Sequence, residues 1–132
     1  MFFTDRPDFL RTVLLVDTAT CIATGLLMTL GAKLVGELTH IPTGLLMSAG
    51  LSLFPTAALI AFVATRRTLW PAGIWLVVLG NFGWVAGSFL LLLGGTIAPN
   101  VLGITFVIAQ AVAVAVLAEL EFIGLRHKLA LA

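Results

Sequence analysis

A run of 51 residues without a charged side chain, from Thr68 to Ala118, constrains this sequence more than any other feature. As a single helix it would be roughly twice as long as a membrane is thick, at about 1.5 Å per residue. The segment GGTIAPN at 94–100 is typical of a turn, so we expect the chain to reverse there. The run therefore predicts two membrane-spanning helices.

Two further segments before this run are long and apolar enough to cross a bilayer. Residues 12–32 contain Asp17 as their only charged residue, and residues 44–65 contain none. Charged residues make up 10% of the chain, against about 25% in soluble domains. We therefore predict an all-α membrane protein, a single domain over residues 1–132 built as an up-down bundle of four transmembrane helices. The expected helices are at about 10–32, 44–66, 69–93 and 97–122.

The link between the first two spans, at 32–43, has an amphipathic pattern. In a helix its apolar residues would share one face, and Lys33, Glu37 and His40 would lie on the other. This pattern predicts either a short amphipathic turn on the membrane surface or an extension of the first helix.

The basic residues predict the orientation of the chain. Only Lys33 lies on one side of a four-span arrangement, and six basic residues lie on the other: Arg6, Arg11, Arg66, Arg67, Arg126 and Lys128. Because basic residues concentrate on the cytoplasmic side, both termini are expected in the cytoplasm. A bias this large also argues against insertion in both orientations, which antiparallel dimers require.

Asp17 is the most unusual residue of the first span. An acid at the bilayer centre costs about 2.5–3.5 kcal/mol on insertion scales, and less towards a helix end. Helical spacing puts Thr20 and Thr24 on the same side as Asp17, with Cys21 between them. We expect this stripe to face protein and Cys21, the only cysteine, to be a small packing residue.

A few other polar residues are expected at membrane depth. Asn81 and Trp84 share a face of the third span, and Gln110 lies near the middle of the fourth. Asn81 and Gln110 could bridge these helices, with Asp17 nearby on the first. Three interpretations follow: an interhelical hydrogen-bond clamp, a polar cavity that holds a ligand, proton or ion, or a docking face for another membrane subunit.

Small residues recur at four-residue spacing in the second and third spans. Gly83 and Gly87 form a GxxxG pair, and Ser48 and Ser52 belong to a similar series that starts at Gly44. Such spacing lets helix backbones approach closely. It indicates helix packing, either within one bundle or at the face of a homodimer.

Charged residues near the end of the last span suggest ion pairs at the cytoplasmic side. Glu119 and Glu121 are expected level with Arg11 and Arg66, and Arg126 begins a basic end that would meet anionic headgroups. Helical spacing turns Glu121 to the side of Gln110 and Glu119 to the opposite side. The basic end lacks interleaved aromatic residues, so we expect no nucleic-acid partner.

Motifs of catalysis or cofactor binding are missing from the sequence. It contains no P-loop, no GxGxxG dinucleotide fingerprint and no HExxH. In the predicted topology His40 and His127 lie on opposite sides of the membrane and cannot share a metal ion or a haem. We therefore expect no enzyme, no catalytic or metal-binding residues and no cofactor.

Several segments together resemble a known group of proteins. They are LRTVLLVDTAT at 10–20, Asn81 and Trp84 in N-x-x-W, Pro99 with Gln110-Ala111, and AELEFIGLR at 118–126. The chain is similar over its whole length to short, uncharacterised four-helix proteins of the bacterial inner (plasma) membrane. The resemblance implies this fold and location, and it points to six residues for testing: Asp17, Asn81, Trp84, Gln110, Glu119 and Arg126.

Two functions remain open from the sequence. The first is a non-enzymatic accessory or oligomerising subunit, whose partners are the lipid bilayer and either a second copy or another membrane subunit. The alternative is a transporter, channel or ligand-binding bundle with a polar cavity around Asp17, Asn81 and Gln110. A polar pocket lined by Asp17 and wide enough for a bound molecule would favour the alternative.

Overall fold

A computed structural model describes residues 8–131, with side chains as far as Leu129. This part of the chain contains helices and no strands. Arg6, one of the basic residues used to predict the orientation, lies outside the described residues. The five helices are α1 (Phe9–Leu30), α2 (Ala32–Thr39), α3 (Thr43–Ala64), α4 (Pro71–Leu93) and α5 (Val101–Leu131).

Four of these helices are long and apolar enough to cross a membrane: α1, α3, α4, and α5 as far as Leu129. The prediction of an all-helical fold with four candidate membrane spans is thereby confirmed. The link after α1 forms a separate helix, α2, because the chain breaks at Gly31. Leu34 and Leu38 of α2 are exposed, as expected for a helix whose apolar face can meet lipid.

The last helix differs most from its predicted bounds. It begins at Val101 and not near 97, and it continues to Leu131 and not to 122. At its start the Asn100 side chain accepts a hydrogen bond from the backbone N–H of Gly103, at 2.9 Å, which satisfies one of the free donors of the first turn. The Asn100 side chain also donates to the carbonyl of Leu38, at 2.8 Å, and so joins the start of α5 to α2.

The helices form two closely packed pairs, α1 with α3 and α4 with α5. Contacts between α1 and α5 join the pairs, whereas α3 and α4 touch much less. The fully buried side chains between the helices include Leu14, Leu46, Ile60 and Leu125. Because lipid is as apolar as these residues, close packing and polar contacts, more than apolar burial, hold such an assembly together.

Gly25 and Gly50 allow α1 and α3 to approach closely. A Cβ atom on Gly50 would lie 2.9 Å from the Cβ of Met28, and one on Gly25 would lie 3.2 Å from the carbonyl oxygen of Gly50. No larger residue fits at Gly50 without moving the helices apart. These two glycines belong to no four-residue repeat.

The predicted small-residue motifs have different surroundings. Gly83 and Gly87 are exposed, and a Cβ atom at either would meet nothing within 4 Å among the described residues. Ser48 and Ser52 are exposed as well. For Gly83 and Gly87 the prediction of packing within one bundle is therefore wrong, because no described residue packs on either glycine.

Candidate ligand cavity

Asn81 joins three of the spans through one side-chain nitrogen. Its amide Nδ2 donates to Oδ2 of Asp17 on α1, at 2.7 Å, and to Oε1 of Glu121 on α5, at 2.8 Å. An amide NH₂ group has two hydrogens, so both are used on the two acids. Asp17 is 1% exposed and Glu121 0% exposed. We call Asp17, Asn81 and Glu121 the acidic layer.

The acidic layer lies well inside the spans. At about 1.5 Å per residue, Asp17 lies about 12 Å from the start of α1 and Asn81 about 15 Å from the start of α4. The neighbour of Asp17 one turn along α1 is Cys21, whose Sγ lies 3.8 Å from Oδ1 of Asp17. Asp17 faces protein, as the sequence predicts, because its side chain is buried.

Glu121 has one oxygen without a partner. Its Oε2 atom is buried and has no hydrogen bond within the described part of the chain. The prediction of a surface ion pair is wrong for Glu121, because α5 continues ten residues beyond it and carries it into the bundle. The sequence did contain the signal, since Glu121 was expected on the same side of the helix as Gln110.

The other members of the predicted ion-pair group have different partners. Arg11 donates to the backbone carbonyls of Ala64 and Arg66, the latter at 2.8 Å, where the last carbonyls of α3 lack helical partners. The guanidinium of Arg66 lies 4.2 Å from the ring centre of Phe62. The guanidinium of Arg126 lies over the ring of Phe122, and Glu119 is exposed.

A second polar cluster lies one to two turns further along α4. Trp84 Nε1 donates to Oε1 of Gln110 at 2.6 Å. Gln110 Nε2 donates to Ser88 Oγ at 3.0 Å and to the carbonyl of Val107 at 2.7 Å, and the Ser88 hydroxyl donates to the carbonyl of Trp84. We call Trp84, Ser88 and Gln110 the neutral layer. The predicted single cluster around Asp17, Asn81 and Gln110 is thus divided into two layers.

A cavity of about 520 Å³ lies against the acidic layer, and all four spans line it. Its size falls in the range of about 300–1,000 Å³ that is usual for small-molecule sites. Most of its wall is aliphatic or aromatic, with Leu53 and Ile60 from α3 and Phe106 from α5. Its lining includes these polar side chains: Asp17, Thr20, Cys21, Thr24, Thr56, Asn81, Trp84 and Gln110.

The cavity is open to the outside of the bundle. Leu76 and Gly80 of α4 and Ala109 and Ala113 of α5 line it and are also exposed. The weak contact between α3 and α4 leaves this side uncovered. In a membrane, a molecule dissolved in the lipid could therefore reach Asp17 without crossing the packed pairs of helices.

A second cavity of about 310 Å³ lies on the other side of the neutral layer, and residues of α1, α3, α4 and α5 line it. Three residues line both cavities: Trp84, Phe106 and Gln110. The hydrogen bond between Trp84 and Gln110 therefore forms part of the wall that separates them.

Among the described residues, no three His, Cys, Asp or Glu side chains are grouped so that they could hold a metal ion. Comparison with known proteins found no matching family model, no matching curated protein and no matching solved structure. The resemblance to short bacterial inner-membrane proteins therefore stays a prediction.

Proposed function

We propose that this protein is a non-enzymatic membrane protein that binds a small amphipathic molecule, positively charged at one point, in the cavity beside Asp17. The observation that carries the proposal is a buried carboxyl group on the wall of an apolar cavity of about 520 Å³. A charged carboxylate in such surroundings raises the free energy of the folded protein unless a partner compensates the charge. Intramembrane acids commonly mark the path of a substrate or ion.

The chemistry of the lining supports a cationic ligand with an apolar body. A carboxylate only accepts hydrogen bonds, so Asp17 favours a ligand that brings a positive charge or a hydrogen-bond donor. The aliphatic residues and the rings of Phe106 and Trp84 suit the rest of the molecule, and aromatic faces attract cations. The opening towards the membrane suits a molecule that partitions into lipid.

Binding of two ions with the same shape and opposite charge tests this proposal. Tetraphenylphosphonium and tetraphenylborate are each dialysed to equilibrium against the purified protein in detergent, with empty micelles as the blank. We expect the phosphonium cation to bind and the borate anion not to bind. Equal binding of both ions, or of neither, would contradict the proposal.

Two matched variants locate the binding. Asp17→Asn keeps the shape of the side chain and removes its charge, and we expect it to weaken phosphonium binding at least tenfold. Glu119→Gln makes the same change at an exposed position and should leave binding within twofold of the wild type. If both variants bind equally well, the cavity beside Asp17 is not the binding site.

A specific observation favours a second candidate, an oligomerising or accessory subunit. Gly83 and Gly87 present a flat strip on the outer face of α4, with nothing packed on it among the described residues. In a membrane such a strip allows close approach of another helix. Analytical ultracentrifugation in detergent tests this candidate: an oligomer that Gly83→Leu or Gly87→Leu dissociates would support it, and a wild-type monomer would contradict it.

The orientation follows from the basic residues. The up-down arrangement with both termini in the cytoplasm of a bacterium is supported by the bias of six basic residues to one. Fusion of alkaline phosphatase or of green fluorescent protein to the C-terminus distinguishes the sides of the inner membrane. We expect fluorescence without phosphatase activity, and the reverse would contradict this orientation.

A further inference from the structure

We infer that Asp17 and Glu121 share one proton in the empty protein, and that a cationic ligand entering the cavity displaces it. The second half of this inference rests on the proposed function, whereas the first half does not. The protein would then bind lipophilic cations in exchange for a proton.

The geometry brings the two acids together at a single nitrogen. Distances of 2.7 and 2.8 Å from Nδ2 of Asn81 place Oδ2 of Asp17 and Oε1 of Glu121 within about 5.5 Å of each other. Both side chains are buried. Two carboxylates this close in a low-dielectric site repel strongly, and such pairs hold one proton between them.

Among the described residues, no lysine or arginine side chain contacts this pair. Within the described chain, α3 and α4 carry no titratable residue at all. On α1 the neighbour of Asp17 is the neutral thiol of Cys21, and Arg11 is bound to the carbonyls at the end of α3. On α5, Glu119 and Arg126 are exposed, and His127 and Lys128 lie further towards the helix end. The charged residues of α2, Lys33 and Glu37, are exposed as well.

The unpartnered oxygen of Glu121 is the second, independent observation. Buried polar atoms almost always have a hydrogen-bond partner, so an exception needs an explanation. Asp17 and Glu121 accept hydrogen bonds from the same nitrogen, so their carboxyl groups are neighbours. A proton on Oε2 of Glu121 turns this atom from an acceptor without a partner into a donor, for which the carboxylate of Asp17 is a nearby acceptor.

The total charge of the site is the same before and after the proton is exchanged for the ligand. With one proton, the pair carries a single negative charge. When a monovalent cation binds beside Asp17, the O–H bond at the pair breaks and the proton leaves to solvent. The two carboxylates and the cation together again carry a single negative charge. The cavity reaches Asp17 and Asn81, so the cation can approach the pair from that side.

Infrared spectroscopy tests the shared proton without any ligand. A protonated carboxyl group has a C=O stretching band that a carboxylate lacks. We expect this band in the wild type at neutral pH, its loss in the double variant Asp17→Asn/Glu121→Gln, and its presence in Glu119→Gln. Absence of the band from the wild type, or its survival in the folded double variant, would overturn the inference.

Proton release tests the exchange. Tetraphenylphosphonium is added to unbuffered protein with a pH-sensitive dye. The number of protons released is then divided by the number of ligand molecules bound. We expect a ratio near one for the wild type and for Glu119→Gln, and a ratio near zero for Glu121→Gln. Binding to the wild type without proton release would overturn the exchange and leave the proposed function intact. If the cation does not bind, the proposed function and the exchange both fail, and the infrared band alone decides whether the proton is shared.

Discussion

The acidic layer and the neutral layer lie one to two helical turns apart on α4, yet their polar atoms are satisfied very differently. In the neutral layer, Gln110 accepts from Trp84 and donates from Nε2 to Ser88 and Val107. In the acidic layer, one amide serves two acids, and Oε2 of Glu121 has no partner among the described residues. The polar groups of the neutral layer therefore match one another, whereas the acidic layer leaves one acceptor over, which the proposed proton or cation would engage.

This difference favours a different interpretation for each layer among those that the sequence leaves open. A hydrogen-bond clamp between helices describes the neutral layer well, because its donors and acceptors match one another. A site for a proton or a ligand describes the acidic layer better. Hydrogen-bond satisfaction therefore separates a structural polar cluster from a functional one more clearly than the presence of polar residues at membrane depth does.

Asn81→Leu should have the largest effect on stability. The substitution removes both donors from two buried acids, and unsatisfied buried groups cost about 1–3 kcal/mol each, more when charged. We expect the free energy of unfolding to fall by about 3–4 kcal/mol, measured by unfolding in mixed micelles with increasing sodium dodecyl sulfate.

Leu79→Ala serves as the control on the same helix, because Leu79 is exposed on the outer face of α4. It should change the free energy of unfolding by no more than about 0.5 kcal/mol. If Asn81→Leu were no more destabilising than Leu79→Ala, the two acids would not depend on the amide, and the contrast between the layers would be lost.

Gln110→Leu should have an intermediate effect. It removes two hydrogen bonds to α4, which in membrane proteins average about 0.6 kcal/mol each, and one to the carbonyl of Val107 on its own helix. We expect a loss of about 2 kcal/mol in the same micelle assay, since all the groups left without partners are neutral. A loss of stability as large as that of Asn81→Leu would show that the neutral layer contributes as much to the free energy of unfolding as the acidic layer does.

The sequence predicted the spans well because the segments are long and, apart from Asp17, uncharged, and each ends at charged residues or at the turn at 94–100. It also predicted that Asp17 faces protein, since a carboxylate in lipid is too costly. It gave the helical face of Glu121 correctly but favoured a surface ion pair for this residue, because the end of the last helix was placed near 122. The helix continues to Leu131, and this changes the depth of Glu121 but not its helical face.

The glycines illustrate why packing partners are harder to predict. GxxxG spacing shows that Gly83 and Gly87 share a face, but it does not say what that face meets, and α4 turns it outwards. The close contact between α1 and α3 instead depends on Gly25 and Gly50, neither of which belongs to a GxxxG pair. A close approach requires space at one point on each helix, and a repeat within one helix is not needed.

The smallest effect is expected for Trp84→Phe, which keeps an aromatic ring in the wall between the two cavities and removes one hydrogen bond to Gln110. The loss of stability should be about 0.6 kcal/mol in the micelle assay. Binding of tetraphenylphosphonium should stay within threefold of the wild type, because the charge that attracts the cation lies in the acidic layer. A tenfold loss of binding with this small loss of stability would instead assign a direct ligand contact to the indole and would extend the binding site from the acidic layer into the neutral one.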